Sequence, residues 1–354
     1  MKIVVLGGGL STERHVSLVT GTSVCRALRE LGHKAIFVDM FMGLENYSGT
    51  LEDAFNEPEG FCGEVAIETV APDIEAVKAS RKLKSPSRLG KNVLEICALA
   101  DCVFLGLHGQ DGEDGKIQAA LDLMGIPYTG SDPLSSGMAM DKAVAKKIME
   151  SCGVPTPKWQ ELTYSENDIP TLKESLPMPC VVKVVGGGSS IGVALPESRE
   201  ELEAALKDIL KYGNRVVVEE KIVGRELTGP VFDGRYMCPI EIVPPEGSSF
   251  DYVAKYQNGA QGARELCPAP VTEEEKKLLG EYALKIHKAL GLSVYSRVDF
   301  MLDKNGNAFC LEVNTLPGMT PNSLIPKAAK VEGMTYGELC EKIVNLSLVE
   351  RANV

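Results

Sequence analysis

The 354-residue sequence lacks any apolar run approaching the roughly 18 residues a membrane-spanning helix needs, so no membrane segment is expected. Its first residues, MKIVVLGGG, place one lysine before a short apolar stretch that ends in glycines, without the longer apolar core and small-residue cleavage site of a secretion signal. A cytoplasmic location is the expectation. Histidine is scarce, four in all, and neither HxxxH nor HExxH spacing occurs, which argues against a zinc centre. The ten cysteines include no CxxC pair and sit mostly inside apolar runs, so they are expected to be reduced, buried thiols. Basic residues are outnumbered, 37 Lys+Arg against 49 Asp+Glu, for a formal charge of −12. That balance disfavours a nucleic-acid-binding surface while leaving room for a local basic pocket for phosphates. Two nucleotide signatures are missing as well: GxxxxGK[ST], and GxGxxG, whose last position falls on Thr12.

What is present is an alternation of strand-like apolar runs with helical patterns, the rhythm of an α/β protein, over a length sufficient for two or three domains. Residues 2–6 read as a buried first strand, 17–30 as a helix, 34–39 as a second strand, and 101–107 as another that leads through a glycine-rich turn into a helix ending near 124. Residues 1–130 are therefore expected to form a Rossmann-like domain. Turn formers cluster in PYTGSDP around Gly130, ahead of a helix beginning near Ser135 or Ser136. Residues 131–220 then read as a small α+β unit, with strands at 180–185 and 215–219, a Gly/Ser loop and a helix at 198–211. A third unit spans 221–354, with strands at 294–302 and 308–313. Residues 41–90 are irregular, and no function is assigned to them.

Five motifs carry chemistry. In GGGLSTERHVSL (7–18) a strand runs into a Gly/Ser loop that opens a helix, whose free N–H groups favour an anion. Glu13 in that loop would repel a pyrophosphate and attract an ammonium, unless it is only a solvated helix-start carboxylate. LHGQDGEDGKIQ (107–118) repeats the strand–turn–helix design, with His108 suited either to a substrate carboxylate, to orienting Glu13, or to capping its strand. Glu113 and Asp114 read as helix-start residues. KVVGGGSSIGV (183–193) sets Lys183 on a strand before a small flexible loop able to fold over phosphates, or to make a plain hairpin turn. Lys142, on a helix, reads alone as a surface lysine. VVVEEKIVGRE (216–226) is a strand ending in carboxylates and a lysine, a composition suited to adenine and ribose and equally to an ordinary charged strand end.

The fifth motif, SRVDFMLDKNGNAFCLEVNTLPGMT (296–320), says most. Its NG dipeptide predicts a hairpin. On opposite sides of that turn, Asp299, Glu312 and Asn314 fall at alternating or cross-strand positions that can point to one face, an oxygen-only set suited to Mg²⁺. Arg297 shares the face of Asp299, placed to neutralise a transferring phosphoryl group.

Taken in order, GGGLSTERHVSL, HGQDGEDGKIQ, GSSIGV, EEKIVGRE, RVDF, LEVNTLPGMT and NSLIP resemble the D-alanine:D-alanine ligase family of ATP-grasp enzymes over essentially the whole chain. The resemblance implies three α/β domains with ATP held between the central and C-terminal ones. Lys142, Lys183, Glu219, Glu220, Lys221, Val223 and Glu226 would line the nucleotide pocket, and Lys255 would reach the γ-phosphate. Asp299, Glu312 and Asn314 would hold two Mg²⁺ ions, with Mn²⁺ as a substitute. Glu13 would anchor the ammonium of the first D-amino acid with help from His108, and Ser189 and Tyr256 would close a lid over it. Arg297, the Gly318 N–H, Ser323 and Leu324 would surround the second amino acid and the reaction centre.

The implied reaction passes through an acyl phosphate to D-alanyl-D-alanine, ADP and phosphate, as in peptidoglycan precursor synthesis, with a homodimer implied through the N-terminal domain. The segment 248–270 is the expected lid. Relatives that make a D-lactate ester tend to carry His where Tyr256 falls, so an amine nucleophile is favoured here. VVGGG before the serines and AQGAREL (260–266) depart from the pattern, which leaves D-serine open as second substrate. Two readings from other classes stand beside this one. An NAD-binding dehydrogenase would have no use for the Asp299, Glu312 and Asn314 set, and a non-catalytic ATP-grasp shell would have lost a metal carboxylate or Arg297.

Overall fold

A computed structural model describes residues 1–63, 72–188, 191–245 and 263–352. Among these residues, three sheets carry the fold. The first is parallel, in the order Lys34–Asp39, Lys2–Gly7, Cys102–Leu105. Ile3, Val4, Val5 and Leu6 are fully buried, as expected of a parallel strand covered on both faces. The crossover helix Arg14–Glu30 buries Val16, Thr20, Val24 and Leu28, one stripe at helical spacing. It sits so close to the sheet that a Cβ on Gly21 would fall 2.5 Å from the Phe37 ring. The helix starts three residues before the sequence pattern indicates, because Glu13 takes the N-cap position ahead of the apolar stripe.

The irregular stretch after the second strand holds short helices at Leu51–Ala54, Ile74–Ser80 and Val93–Cys97. Arg81 is buried there, stacked 4.0 Å over the Phe41 ring and donating to the Ser85 and Ser87 carbonyls, which gives the 81–90 loop a fixed path. The expectation of ten reduced thiols is corrected here: Cys25 and Cys62 are joined in a disulfide between the crossover helix and this region. Of the other eight, Cys152, Cys238 and Cys267 are only half-buried. Spacing along the chain carried no sign of the bond, since it joins residues 37 apart that meet only through folding.

The second sheet is antiparallel, in the order Trp159–Thr163, Arg215–Glu220, Cys180–Val184, Val193–Ala194. Strand alternation divides its faces. Cys180, Val182, Val184, Val216 and Val218 pack on one side with Leu202, Leu206 and Ile209 of the helix Arg199–Ile209. Lys183, Val217 and Glu219 turn to the other.

The third sheet is also antiparallel: Arg264–Leu266, Ile240–Val243, Gly224–Phe232, Tyr295–Asp303, Ala308–Asn314, with Arg235–Tyr236 added to Gly224–Phe232. The helix Glu273–Ala289, opened by a Thr272/Glu275 capping box, covers one face. Helices Pro133–Met140 and Lys142–Ser151 contribute Ala139, Ala145 and Met149 to this same core, beside Leu279, Ala283 and Phe300. The last helix, Tyr336–Arg351, returns to the first sheet, where Leu339, Ile343 and Val344 join the core of Ile3 to Leu6. Arg351 stacks 3.8 Å over Tyr128 and donates to the Gly130 carbonyl. Among the described residues no helix is long and apolar enough to cross a membrane.

Candidate active site

The three sheets direct their loops at one pocket, open to solvent and lined by Glu13, Glu113, Lys142, Gly187, Gly188, Glu312 and Asn314 among others. At its acidic end Glu13 gives its helix no side-chain cap; its carboxylate faces the pocket. The loop that carries it is fixed by the buried Arg14, which donates to Gly9 O at 2.6 Å and pairs with Asp39. Two other glycine loops close on the same carboxylate. A Cβ on Gly188 would lie 2.5 Å from Glu13 Oε2, and one on Gly109 would lie 2.8 Å away, so only glycine permits this approach.

His108 is buried beneath. Its Nδ1–H donates to Leu316 O at 2.9 Å, leaving Nε2 to accept from the Thr20 hydroxyl at 3.0 Å. Burial lowers its pKa, so the ring is neutral at pH 7 and fixed in one tautomer. Its tie to Leu316 is one of two between the 107–118 motif and the LPGM loop. The second is Glu113, whose Oε2 accepts the Gly109 N–H at 2.8 Å and whose Oε1 accepts the Leu316 N–H at 3.1 Å. Burial, reinforced by the charge of Glu13, raises the Glu113 pKa to about 7. Sequence reasoning placed Glu113 at a helix start; the structure buries it as a brace between two loops.

The cationic end belongs to two lysines. Lys142 Nζ donates to Gly187 O at 2.5 Å and lies 3.4 Å from Glu312 Oε2, so it is a buried pocket residue and not the surface lysine it resembles in isolation. Lys183 Nζ is 3.0 Å from Glu219 Oε2, and Lys146 Nζ is 3.1 Å from Glu219 Oε1 and 2.6 Å from the Thr156 hydroxyl. Burial alone would lower the pKa of Lys183, but Glu219, Glu312 and Glu226 outweigh it and the net shift is upward. Lys146 moves down through burial, despite Glu219. Glu219 would be raised by burial, yet the two lysines hold it low. Only 1 % exposed, Glu219 turns its oxygens to these lysines and not to open pocket. Lys146 went unnoticed in the sequence, although its spacing of four from Lys142 puts both on one helical face.

The hairpin is as predicted, with strands Tyr295–Asp303 and Ala308–Asn314. Its register sets Asp299 opposite Glu312 and Arg297 opposite Asn314, and a bulge follows Asp299. Arg297 grips Asp299 with two bonds, Nε to Oδ1 at 2.9 Å and Nη2 to Oδ2 at 2.8 Å. The Thr228 hydroxyl donates to Oδ1 at 2.6 Å and the Asn314 amide to Oδ2 at 3.0 Å. Among the described residues no three His, Cys, Asp or Glu side chains converge as a metal cluster. A cation here would therefore rely on two carboxylates and one amide oxygen. That donor set is hard and fits Mg²⁺, with Asn314 turning its amide to offer oxygen.

The remaining predicted residues are spread around this centre. Glu220 Oε1 accepts the Lys158 N–H at 2.9 Å, Lys221 pairs with Glu197, Val223 is exposed, and Glu226 lies half-buried on Gly224–Phe232. Gly318 packs against Ser323, where a Cβ would meet Oγ at 2.9 Å. Ser323 in turn accepts the Thr320 N–H at 3.0 Å and precedes Leu324, first residue of the helix Leu324–Val331. Ser189, Lys255, Tyr256 and most of the expected lid lie outside the described residues.

Comparison with known proteins identifies the family. Residues 2–131 match the family model for the D-ala D-ala ligase N-terminus and residues 148–345 that for the D-ala D-ala ligase C-terminus. A D-alanine–D-alanine ligase of Pediococcus pentosaceus is 41% identical over 97% of both chains, and one of Aquifex aeolicus is 39% identical over 97% of this chain and 100% of its own. Among solved structures, the D-alanine–D-alanine ligase of Bacillus anthracis complexed with ATP superposes with a TM-score of 0.71 at 30% identity, covering 100% of this chain and 99% of that one. The VanG D-Ala:D-Ser ligase of Enterococcus faecalis gives 0.73 at 29% identity over 98% and 99%.

Proposed function

The chain belongs to the D-alanine–D-alanine ligase family, and from that premise we propose that it joins two D-alanines into D-alanyl-D-alanine, a peptidoglycan precursor, while ATP becomes ADP and phosphate. The observation that carries this reading is the convergence on one pocket of Glu13 at an acidic end, Lys142 at a cationic end, and the Glu312 and Asn314 strand between them.

Glu13 holds the ammonium of the first D-alanine, and the neutral His108 fixes the loop around it without adding a competing charge. Lys142 and Lys183 face the phosphates of ATP and spread the charge that builds as the γ-phosphoryl passes to the D-alanine carboxylate. The resulting acyl phosphate makes that carbon electrophilic, and the amine of the second D-alanine attacks it. Arg297 and the Gly318 N–H face the oxyanion of the tetrahedral intermediate, and Ser323 and Leu324 border the second amino acid. Glu220, Lys221, Val223 and Glu226 border the adenosine; Glu219 acts through Lys183, which it orients. Asp299, Glu312 and Asn314 are the residues that would hold Mg²⁺, which when bound supplies Lewis-acid neutralisation of the phosphates. Lys255, Ser189 and Tyr256 keep the roles the family resemblance implies, at the γ-phosphate and over the first D-alanine.

Phosphate release from ATP and Mg²⁺ with D-alanine, D-serine, D-lactate and L-alanine, singly and in pairs, with mass analysis of the products, tests this. D-alanyl-D-alanine as main product is the expected result; silence with every D-amino acid overturns it. The likeness to the VanG D-Ala:D-Ser ligase supports a second reading, in which D-serine is the preferred second substrate, and the mixed pair in the same assay decides it. The reading places the enzyme in the cytoplasm as a homodimer, supported by Leu123, exposed on the N-terminal domain, and Leu134 just beyond it; sedimentation of the purified chain checks the second point. We infer a division into units 1–130, 131–220 and 221–354, in which the helices of 133–151 pack on the core of the third unit.

A further inference from the structure

Cys238 and Cys267 flank the third sheet's outer pair of strands, Ile240–Val243 and Arg264–Leu266, which run antiparallel with Val243 opposite Arg264. Their sulfurs lie 3.7 Å apart, in contact and half-buried. We propose that Cys238 and Cys267 are a redox modification site, forming a reversible disulfide when a hydroperoxide oxidises the protein.

Four observations carry this. A disulfide needs its sulfurs at about 2.05 Å, and these two, on half-buried side chains, are already in contact at 3.7 Å. The surroundings are asymmetric. Lys327, paired with Glu265, lies on the Cys267 side and favours a thiolate there, whereas Cys238 faces the Ala328 carbonyl at 4.0 Å and stays protonated. The hydrogen bond from Cys238 lowers the Cys267 pKa, while that bond and burial raise that of Cys238. Four other thiols contrast with Cys267: all are buried, and burial pushes Cys97 and Cys310 up and Cys102 and Cys340 up to about 12.

The chemistry balances in two steps. The Cys267 thiolate attacks one peroxide oxygen, breaking the O–O bond, so sulfur is oxidised to a sulfenic acid as the peroxide is reduced to hydroxide or alkoxide. Cys238 sulfur then attacks the Cys267 sulfur and displaces hydroxide, which leaves as water with the proton of the Cys238 thiol.

The full chain treated with hydrogen peroxide, digested without reductant and mapped by mass spectrometry is expected to yield a peptide linking Cys238 to Cys267 that dithiothreitol separates. Cys238→Ser should leave a sulfenic acid at Cys267 that dimedone traps, and Cys267→Ser should leave Cys238 unlabelled. Absence of the linked peptide after peroxide treatment, or equal labelling of the two single variants, overturns the proposal. Failure of either variant to fold leaves the wild-type linkage as the deciding observation.

Discussion

Replacing Gly188 by alanine probes the proposed ammonium subsite with one methyl group. The added Cβ would sit 2.5 Å from Glu13 Oε2, whereas ordinary contact begins at 3.4 Å, so the carboxylate must retreat by about 0.9 Å. Gly188 has no positive φ, so the backbone takes alanine without strain, and the group that must move is the end of a flexible side chain. The stability cost should therefore stay within about 1 kcal/mol. Catalysis is less tolerant: misplacement of a substrate-positioning group by about 1 Å costs on the order of 10²-fold. We expect kcat/KM for the first D-alanine to fall by that factor, with KM for ATP nearly unchanged and an unaltered melting temperature, read from coupled ADP release under varied D-alanine and then varied ATP. An unchanged D-alanine dependence in a folded variant would refute the assignment of Glu13. Parallel losses toward both substrates would show that the methyl acts through the loop and not through Glu13.

Other consequences follow from single groups. Glu312→Gln should lower turnover by more than about 10²-fold through loss of charge at the proposed cation site while leaving the denaturation midpoint in place, and wild-type rates would remove Glu312 from that site. Glu113 titrates near 7 in the folded protein and near 4.5 when exposed, so between these values the native state holds a proton that the unfolded chain lacks. Its contribution to stability is full below pH 4.5 and is lost as pH rises toward 7, by at most about 1.4 kcal/mol per pH unit. Urea denaturation of Glu113→Gln across that range should show this downward slope removed; a slope identical to wild type would mean that Glu113 ionises normally. Glu219→Gln strands two buried lysines and should cost about 3–5 kcal/mol, whereas Lys146→Met leaves a matched Lys183–Glu219 pair and should cost under about 1 kcal/mol. Equal losses in the two denaturation curves would contradict that asymmetry.

Much of this architecture was legible from local pattern. The hydrophobic run at 3–6, ending in a glycine turn, reads as a strand buried on both faces, and the NG turn with its flanking alternation specifies the hairpin; the bulge after Asp299, which that alternation does not show, is what sets Glu312 and Asn314 opposite Asp299 and Arg297. Lys142 and Lys146 are different. Nothing in SGMAMDKAVAK distinguishes a buried lysine from a solvated one, because the deciding partners, Glu312, Gly187 and Glu219, are supplied by strands and loops distant in sequence.

By itself, then, the sequence determined the elements, the hairpin and the set of chemical groups, since these depend on periodicities of two and 3.6 and on turn chemistry within a few residues. Only the tertiary structure decided which of those groups meet. It buried Glu113 as a brace between two loops, set Glu219 between two lysines, bonded Cys25 to Cys62, and brought Cys238 against Cys267. The physical reason is common to all four. Burial and charge pairing are properties of a surrounding volume, and that volume is assembled from segments that the chain separates and folding brings together.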